Sequence, residues 1–329
     1  MKILYHNPTC GSGIEQVGYI FLFILKKLGH EIDLYNTQCA NVQENIISKV
    51  IDNYDAIVLN SAYEINFNRM IQKEKNNVFD ISHDGSPLPS FCKQLSLNYI
   101  HQYQFFYKNQ VANITIPITY PYAFNKNIFN SERPNKFVFV GRWIKEKFHP
   151  EVKEAMIKNG IKIDKVFTNH QNKEYIPEEV SKEVVINANI KEISDYLSKT
   201  KYLLLPSTTE CISIVAGEAL VNGCLPVVLE TPFKEHAQFF NCVIAKSPQE
   251  FSEIVKVLNK KDEDPAGVNR ENIFNFSNKM WSLDKSVEEF RTIFGTGPKG
   301  SITIKQNDHK NISAILPYIN ATIITGETL

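Results

Sequence analysis

An apolar run, a polar loop and a second apolar run follow one another in Tyr202-Leu-Leu-Leu-Pro-Ser-Thr-Thr-Glu-Cys-Ile-Ser-Ile-Val-Ala-Gly-Glu-Ala-Leu220. Residues 202–206 predict a strand and 212–221 a helix, so the polar residues between them form a strand-exit loop. Ligands of α/β sheets bind just past the carboxyl ends of the strands. Glu210 in the loop and Glu218 on the helix, with seven residues between them, can therefore accept hydrogen bonds from the hydroxyls of two sugar rings. Taken alone, two solvated glutamates flanking a helix start would explain the same pattern.

Strands and helices alternate on both sides of this stretch. In the second half, strands are predicted at 136–140, 161–167, 202–206 and 226–229, and helices at 150–158, 192–198 and 212–221. In the first half, strands are predicted at 1–5, 31–35, 55–60 and 78–81, and helices at 15–28 and around 42–50. Two such halves predict an α/β fold with two facing, doubly wound Rossmann-like domains and a cleft between them.

The segment 120–134, which is marked by Asn and Pro, is the predicted linker between the halves. We therefore expect an N-terminal domain at 1–125 and a C-terminal domain at 135–281. The remaining segment, 282–329, contains a predicted helix at 285–294 and a β-like run at 301–305. The sequence assigns this segment no role.

Composition excludes several classes of protein. Hydrophobic residues make up 43% and charged residues 22% of the 329 residues, which is typical of a folded globular chain. Basic and acidic residues number 36 each, so the neutral charge argues against strong binding of nucleic acid or membrane. It does not exclude a local basic groove. The six cysteines form no CxxC pair, and the longest apolar stretch has about twelve residues, short of the ~20 that span a bilayer. We expect reduced thiols, no membrane span and a cytoplasmic location in a bacterium or a virus-infected host.

Two further strand exits carry residues suited to ligand binding. The turn Gly11-Ser-Gly13 opens a predicted helix, whose unpaired N–H groups favour an anion, and a plain tight turn is the alternative interpretation. The dinucleotide fingerprint fails here because Gln16 occupies its third glycine position. The loop Gly141-Arg-Trp-Ile-Lys-Glu-Lys147 brings an arginine and a lysine to one sheet edge, as a diphosphate requires.

These clusters together resemble the GT-B glycosyltransferases, in particular the large retaining family 4, which includes bacterial hexosyl and mannosyl transferases. Members of that family carry a glycine loop after the first strand, a Gly-Arg…Lys loop that opens the second domain, and a Pro-Ser…Glu-x7-Glu segment followed by Gly and Pro-Val-Val. The resemblance extends over roughly residues 1 to 294. It implies that 1–125 is the acceptor-side domain and that 135–281 is the nucleotide-sugar-binding domain. The Glu-x7-Glu segment is its most specific part.

The resemblance implies a role for each matching residue. Arg142 and Lys147 match the pair that holds the donor diphosphate. Glu210 matches the carboxylate on the transferred sugar, and Glu218 matches the one on the nucleotide ribose. The residues that match the donor-facing loop, or that offer backbone N–H groups to the donor, are Gly11, Gly13, Cys211, Ile212, Ser213 and Ile214.

The chain departs from the family pattern at two places. Cys211-Ile-Ser213 stands where the family usually has Gly-Phe-Gly, which leaves the sugar unidentified, and Gly223-Cys-Leu-Pro226 is one residue longer than the commonest form. That spacing, together with Leu59-Asn-Ser61, Ser82-His-Asp84 and Trp143, is also similar to the α-glucosyltransferases that phages use to modify hydroxymethylcytosine in DNA. The neutral charge of the chain argues against a DNA acceptor.

His83 and Asp84 follow the predicted strand at 78–81, and two interpretations of this pair remain open. Either His83 contacts the donor sugar and Asp84 positions the acceptor hydroxyl, or Asp84-Gly85 forms a turn beside a solvated histidine. The aromatic stretch 103–107 is expected to lie in the core.

The resemblance implies a retaining enzyme that moves a sugar from a nucleoside diphosphate donor, such as a UDP-sugar, to a hydroxyl acceptor. The acceptor is expected to be a glycan or a hydroxymethylated base in phage DNA. Arg142, Lys147 and the helix start after Glu210 would stabilise the leaving diphosphate, so neither a metal nor another cofactor is expected. A GT-B nucleotide-sugar epimerase or a non-catalytic sugar-nucleotide binding module is the alternative. The sequence leaves the oligomeric state open.

Overall fold

The structure, a computed structural model, describes residues 1–8, 13–37, 53–60, 77–83, 93–98, 110–118, 132–169, 176–208, 210, 213–230, 242–261, 272, 275, 279 and 281–307. The chain divides into two compact units. Met1–Pro117 and Trp281–Leu329 form the first unit, and Ile118–Met280 form the second. The first unit is therefore built from both ends of the chain, and it includes the segment 282–329 to which the sequence assigned no role.

The described residues include six helices. They are α1 (Gly13–Lys27), α2 (Pro150–Lys158), α3 (Ile190–Leu197), α4 (Ile214–Val221), α5 (Pro248–Lys260) and α6 (Leu283–Phe294). The strands are β1 (Lys2–Pro8), β2 (Glu31–Thr37), β3 (Ala56–Asn60), β4 (Val78–Ser82), β5 (Lys93–Asn98), β6 (Gln110–Thr115), β7 (Asn135–Val140), β8 (Lys165–Thr168), β9 (Val184–Ile186), β10 (Thr200–Leu205), β11 (Leu225–Leu229), β12 (Val243–Ala245) and β13 (Ser301–Asn307).

The first unit contains a parallel sheet in the order β13-β2-β1-β3-β4-β5-β6. All residues of β3 and β4 are buried, as expected for parallel strands that are covered on both faces. Helices α1 and α6 pack together, with the rings of Phe21 and Phe290 stacked at a centroid distance of 5.0 Å. Glu289 of α6 accepts hydrogen bonds from the backbone N and the hydroxyl of Thr115 in β6, at 2.6 and 2.8 Å, which fixes α6 to the sheet.

The C-terminal segment completes the sheet of the first unit. Strand β13 pairs in parallel with β2, with Ile302 opposite Ile32, so the β-like run at 301–305 is a strand. The approach requires glycine, because a Cβ atom on Gly29 or on Gly297 would lie 2.1 or 2.0 Å from the carbonyl oxygen of the other. The Gly297 N–H donates to the Leu28 carbonyl at 2.8 Å, which closes the contact.

The second unit contains a parallel sheet in the order β12-β11-β10-β7-β8-β9. Its core is apolar and includes fully buried residues from the central strands, Phe137 and Tyr202, and from α5, Phe251 and Val255. Two parallel α/β sheets agree with the predicted fold class.

Some predicted elements differ from the observed ones. The strand predicted at 161–167 is confined to Lys165–Thr168, preceded by an isolated bridge between Ile163 and Ser181. The reason is Asp164, whose carboxylate accepts hydrogen bonds from the backbone N–H groups of Lys136 and Phe137 at 2.7 and 2.9 Å in place of a ladder bond. The helix predicted around 42–50 and the aromatic stretch 103–107 lie outside the described residues.

Candidate functional site

The first candidate site lies at the topological switch point of the second sheet. The chain runs outward through β7, β8 and β9 and then returns to place β10 on the other side of β7. Strands β7 and β10 are parallel, with Phe137 opposite Tyr202, so the loops that follow them start side by side. In doubly wound sheets this is where ligands bind.

The loop after β7 is held by aromatic packing. Trp143 and Phe148 stack at a centroid distance of 4.4 Å, and both meet the ring of Phe139 edge-on at 5.3 Å. Within the loop, the N–H groups of Lys147 and Phe148 donate to the carbonyl of Ile144 at 2.9 and 2.8 Å. The buried rings therefore fix a tight turn and leave the charged residues of the loop at its surface.

Hydrogen bonds join this loop to the loop after β10. The His149 N–H donates to the Pro206 carbonyl at 3.1 Å, and the Thr208 N–H donates to the Glu146 carbonyl at 2.8 Å. The Ser207 hydroxyl donates to the Lys147 carbonyl at 3.2 Å. The two strand exits thus form one continuous structure.

Two predicted site residues meet at this junction. Lys147 Nζ lies 2.7 Å from Glu210 Oε1, with side chains that are 23% and 10% exposed. Arg142 lies in the same loop as Lys147, and its side chain is exposed. The arrangement brings a cation and a carboxylate acceptor to one position at the sheet edge.

Helix α4 begins shortly after Glu210 in the chain. Ser213 is its N-cap, and the Ser213 hydroxyl accepts a hydrogen bond from the Ala216 N–H at 3.3 Å. The helix starts at Ile214, two residues later than predicted, and its N-terminal N–H groups favour negative charge. Glu218, predicted to contact a ribose, lies on α4 and is only 7% exposed.

Sequence reasoning missed a buried arginine beneath α4. Arg133, which was placed in the linker, donates to the carbonyls of Leu197 and Thr200 at 3.2 and 2.6 Å and to the carbonyl of Asn222 at 2.7 Å. Burial lowers the pKa of its guanidinium. Leu197 ends α3 and Asn222 is the C-cap of α4, so Arg133 holds the C-terminal ends of both helices and fixes the axis of α4.

The second candidate site lies at the corresponding switch point of the first sheet, between β1 and β3. Asn60 Nδ2 donates to Asn7 Oδ1 at 2.7 Å, and Asn60 Oδ1 lies 2.7 Å from His83 Nε2. Asn7 Nδ2 donates to the Glu15 carbonyl in the first turn of α1 at 3.2 Å. The polar groups thus link three neighbouring strand ends to the start of a helix.

A second buried group adjoins this chain of amides. The Tyr19 hydroxyl contacts Glu15 Oε1 at 3.5 Å and accepts a hydrogen bond from Asn36, and burial raises the pKa of Tyr19. Glu15 and Asn36 are buried as well. Sequence reasoning missed Asn7 and Asn36, and it noted Asn60 only within the motif Leu59-Asn-Ser61 and gave it no role. A signal was present, because each of the first three apolar strands reaches an asparagine at its carboxyl end.

The remaining predicted site residues are divided between described and undescribed parts of the chain. Gly13 is the first residue of α1 and Ile214 the first of α4. Gly11, Asp84, Cys211 and Ile212 lie outside the described residues.

No metal-binding group was found among the residues that the structure describes. Within that part of the chain, no three His, Cys, Asp or Glu side chains are grouped so that they could hold a metal ion, and the expectation that no metal is needed remains a prediction. Of the helices in the described ranges, none has the length and apolar character required to cross a membrane.

No protein-family model matches the sequence, and no curated protein matches it. Solved structures do match the fold. HepE of Anabaena, in complex with UDP and glucose, aligns with a TM-score of 0.62 and 13% identity over 89% of this chain and 99% of that one. WaaG, a glycosyltransferase of lipopolysaccharide biosynthesis, aligns with a TM-score of 0.59 and 12% identity over 90% of this chain and 100% of that one.

An α-glucosyltransferase bound to UDP and to DNA containing an HMU base also has this fold. It aligns with a TM-score of 0.54 and 13% identity over 89% of this chain and 98% of that one. The chain therefore has the GT-B fold over nearly its whole length, as the sequence predicted.

Proposed function

We propose that this chain is a retaining glycosyltransferase that moves a sugar from a nucleoside diphosphate donor, such as a UDP-sugar, to a hydroxyl acceptor. The observation that carries the proposal is the ion pair between Lys147 and Glu210, at 2.7 Å, at the switch point of the second sheet. A donor of this class needs a cation for its diphosphate and an acceptor for its sugar hydroxyls at adjacent positions. The GT-B fold supports the same conclusion.

The chemistry follows from the charges at this edge. As the bond between the anomeric carbon and the phosphate oxygen breaks, negative charge grows on the departing diphosphate. Lys147, Arg142 and the N-terminus of α4 stabilise that charge without a metal ion. The acceptor oxygen forms the new bond to the anomeric carbon on the same face, and its proton passes to the departing phosphate oxygen. Glu210 accepts hydrogen bonds from the sugar hydroxyls.

Two acceptor classes are consistent with this chemistry. The structural neighbours include a lipopolysaccharide glycosyltransferase and an α-glucosyltransferase bound to DNA. We take a glycan as the acceptor to test first, because the formal charge of this chain is zero and DNA binding requires phosphate-neutralising cations. If the protein binds DNA that contains hydroxymethylated bases, and if this binding weakens steeply with salt, a DNA acceptor would be favoured instead.

The first experiment identifies the donor by thermal stabilisation with UDP-, GDP- and ADP-sugars. A donor at 100 times its dissociation constant adds about 2.7 kcal/mol to the free energy of unfolding. Turnover of the stabilising donor is then measured with glycan, with hydroxymethylated DNA and without acceptor, and NMR identifies the anomer of the product. Donor conversion without any acceptor would indicate an epimerase, and binding without turnover a binding module. If none of the nucleotide sugars stabilises the protein, the proposal is wrong.

A further inference from the structure

We infer that Asn7 and Asn60 are positioning residues that hold His83 in the neutral tautomer with its proton on Nε2, so that Nδ1 is the acceptor nitrogen of the ring. The inference concerns the first unit, whereas the proposed function was argued from the second. Only the use of His83 in catalysis rests on the proposed function. The tautomer itself follows from the hydrogen-bond chain.

The first contact of this series of hydrogen bonds, at the Glu15 carbonyl of α1, determines the orientation of the side chains that follow. The Glu15 carbonyl can only accept, so the side-chain atom of Asn7 that lies 3.2 Å from it is the amide nitrogen, Nδ2. The amide oxygen of Asn7 is then the atom that meets Asn60, at 2.7 Å. Because an oxygen accepts, the Asn60 atom in this contact is the donor Nδ2.

The orientation of the Asn60 amide determines which of its atoms faces the imidazole ring of His83. With Nδ2 of Asn60 engaged by Asn7, the Asn60 oxygen faces His83 Nε2 at 2.7 Å. An amide oxygen has no proton to donate, so Nε2 must carry the hydrogen of this bond. A neutral imidazole has one N–H group, and its other nitrogen, Nδ1, therefore keeps the lone pair.

Packing prevents the two amides from reversing. Asn7 and Asn60 are both 0% exposed, so a flipped amide would face like against like with no water to repair the contacts. The amides lie against Gly18 of α1, where a Cβ atom would be 2.0 Å from Asn7 Oδ1 and 2.3 Å from Asn60 Nδ2. Glycine at this position leaves the space that the amide pair occupies.

A fixed tautomer gives His83 one chemical character in the proposed reaction. In its neutral form, His83 donates through Nε2 to Asn60, and Nδ1 is the ring nitrogen that can accept. In the proposed reaction, the tautomer therefore determines which ring nitrogen can orient a hydroxyl group.

The test is the long-range 1H–15N NMR spectrum of the full chain labelled with [15N]histidine, recorded well above the ordinary histidine pKa of about 6.5. The chain has eight histidines, and the signals of His83 are assigned by their loss in His83→Gln. In the native protein we expect a protonated Nε2 and an unprotonated Nδ1. Asn60→Ala should give a mixture of tautomers. Asn7→Leu should do the same, because Asn7 acts on His83 through Asn60.

Two further variants separate positioning from structure. Asn60→Asp still offers an oxygen to Nε2, so it should keep the single tautomer, and its charge should raise the pKa of His83. Asn159→Ala, which removes a side chain that bonds the Ala155 carbonyl in the second unit, should leave the His83 signals unchanged. The inference is overturned if the native ring carries its proton on Nδ1, or if Asn60→Ala keeps a single Nε2–H form. Neither result depends on whether a nucleotide sugar binds, so failure of the proposed function would be seen separately.

Discussion

Lys147 Nζ and Glu210 Oε1 form an ion pair of 2.7 Å that joins the exits of β7 and β10. The two residues were assigned different parts of a donor from the sequence, the diphosphate and the sugar. In the structure each neutralises the other. A bound donor would therefore have to replace this contact with a phosphate at Lys147 and sugar hydroxyls at Glu210.

Replacing Lys147 with alanine should lower turnover of the donor by a factor of ~10² to 10³. Removal of one preorganised cation from a leaving group typically costs about 3 kcal/mol of transition-state stabilisation. The control is Lys145→Ala, because Lys145 lies in the same loop with a side chain that is 79% exposed. Release of nucleoside diphosphate measures the rate, and equal rates in the two variants would contradict the role of Lys147.

Glu210→Gln should strengthen the binding of the nucleoside diphosphate alone. The native carboxylate repels a phosphate that approaches Lys147, and a neutral amide of the same shape does not. We expect about a tenfold tighter complex, equal to about 1.4 kcal/mol, by isothermal titration calorimetry with UDP, or with the nucleotide that the donor panel identifies. Glu146→Gln is the matched control in the neighbouring loop, and unchanged affinity in Glu210→Gln would show that the ion pair does not compete with phosphate.

Gly18→Ala should destabilise the protein. In an ordinary helix interior this change stabilises by about 1 kcal/mol, but here the Cβ atom would lie 2.0 Å from Asn7 Oδ1. Overpacking of this kind costs about 1 to 3 kcal/mol, measured by urea unfolding. The double variant with Asn7→Ala removes the nearest atom, so its loss should be smaller than the sum of the two single losses. A gain of stability in Gly18→Ala would contradict the close contact.

Arg133→Ala should destabilise the second unit strongly. It removes the donors to three carbonyls, those of Leu197, Thr200 and Asn222, and leaves acceptors without partners in the interior. Since each buried unsatisfied group costs about 1 to 3 kcal/mol, we expect a loss of at least ~3 kcal/mol by urea unfolding. The exposed Arg142 provides the comparison, because Arg142→Ala should lower turnover and leave the unfolding free energy nearly unchanged.

Stability should fall as the pH is lowered below about 6.5, in part because of His6. Burial lowers the pKa of His6 to about 4, whereas a histidine in the unfolded chain has a pKa of about 6.5. Between these two pH values, the unfolded chain therefore binds a proton that the folded chain does not. We expect His6 to contribute about 3 kcal/mol to the free energy of unfolding. This contribution is present in full above pH 6.5 and is lost as the pH falls toward 4. Urea unfolding at pH 7, 6, 5 and 4 measures the slope. His6→Asn should reduce the slope, and an unchanged slope would show that His6 titrates normally.

The strand exits of the site were predictable from the sequence, whereas their contacts were not. The loops after 136–140 and 202–206 stand out because uninterrupted apolar runs end there in charged and small residues. That Ser207 donates to the Lys147 carbonyl depends on β10 lying beside β7, and strand order is a property of the whole sheet. The same holds for Arg133, which looks like a linker residue until the ends of α3 and α4 surround it.

The asparagines at the strand ends of the first unit could be located in the sequence, but their contacts could not. Each ends a strand in a way that is visible in the sequence, but a polar residue at a strand end is also what any exposed turn would have. Burial makes the difference, because Asn7 and Asn60 are 0% exposed and must satisfy one another. The role of 301–307 was hidden for a similar reason, since a β-like run finds its partner in β2 only after the chain has returned to the first unit.

Local apolar runs and helical patterns in the sequence specify each element and its exit, so they were enough to predict two doubly wound α/β halves. The GT-B fold was implied by the resemblance of the strand-exit motifs to the GT-B glycosyltransferases. Tertiary structure alone decided which side chains meet: Lys147 with Glu210, Arg133 with the ends of two helices, and His83 with Asn60. Such pairs join residues far apart in the chain, and their energy depends on burial and distance, which exist only once the sheets have formed.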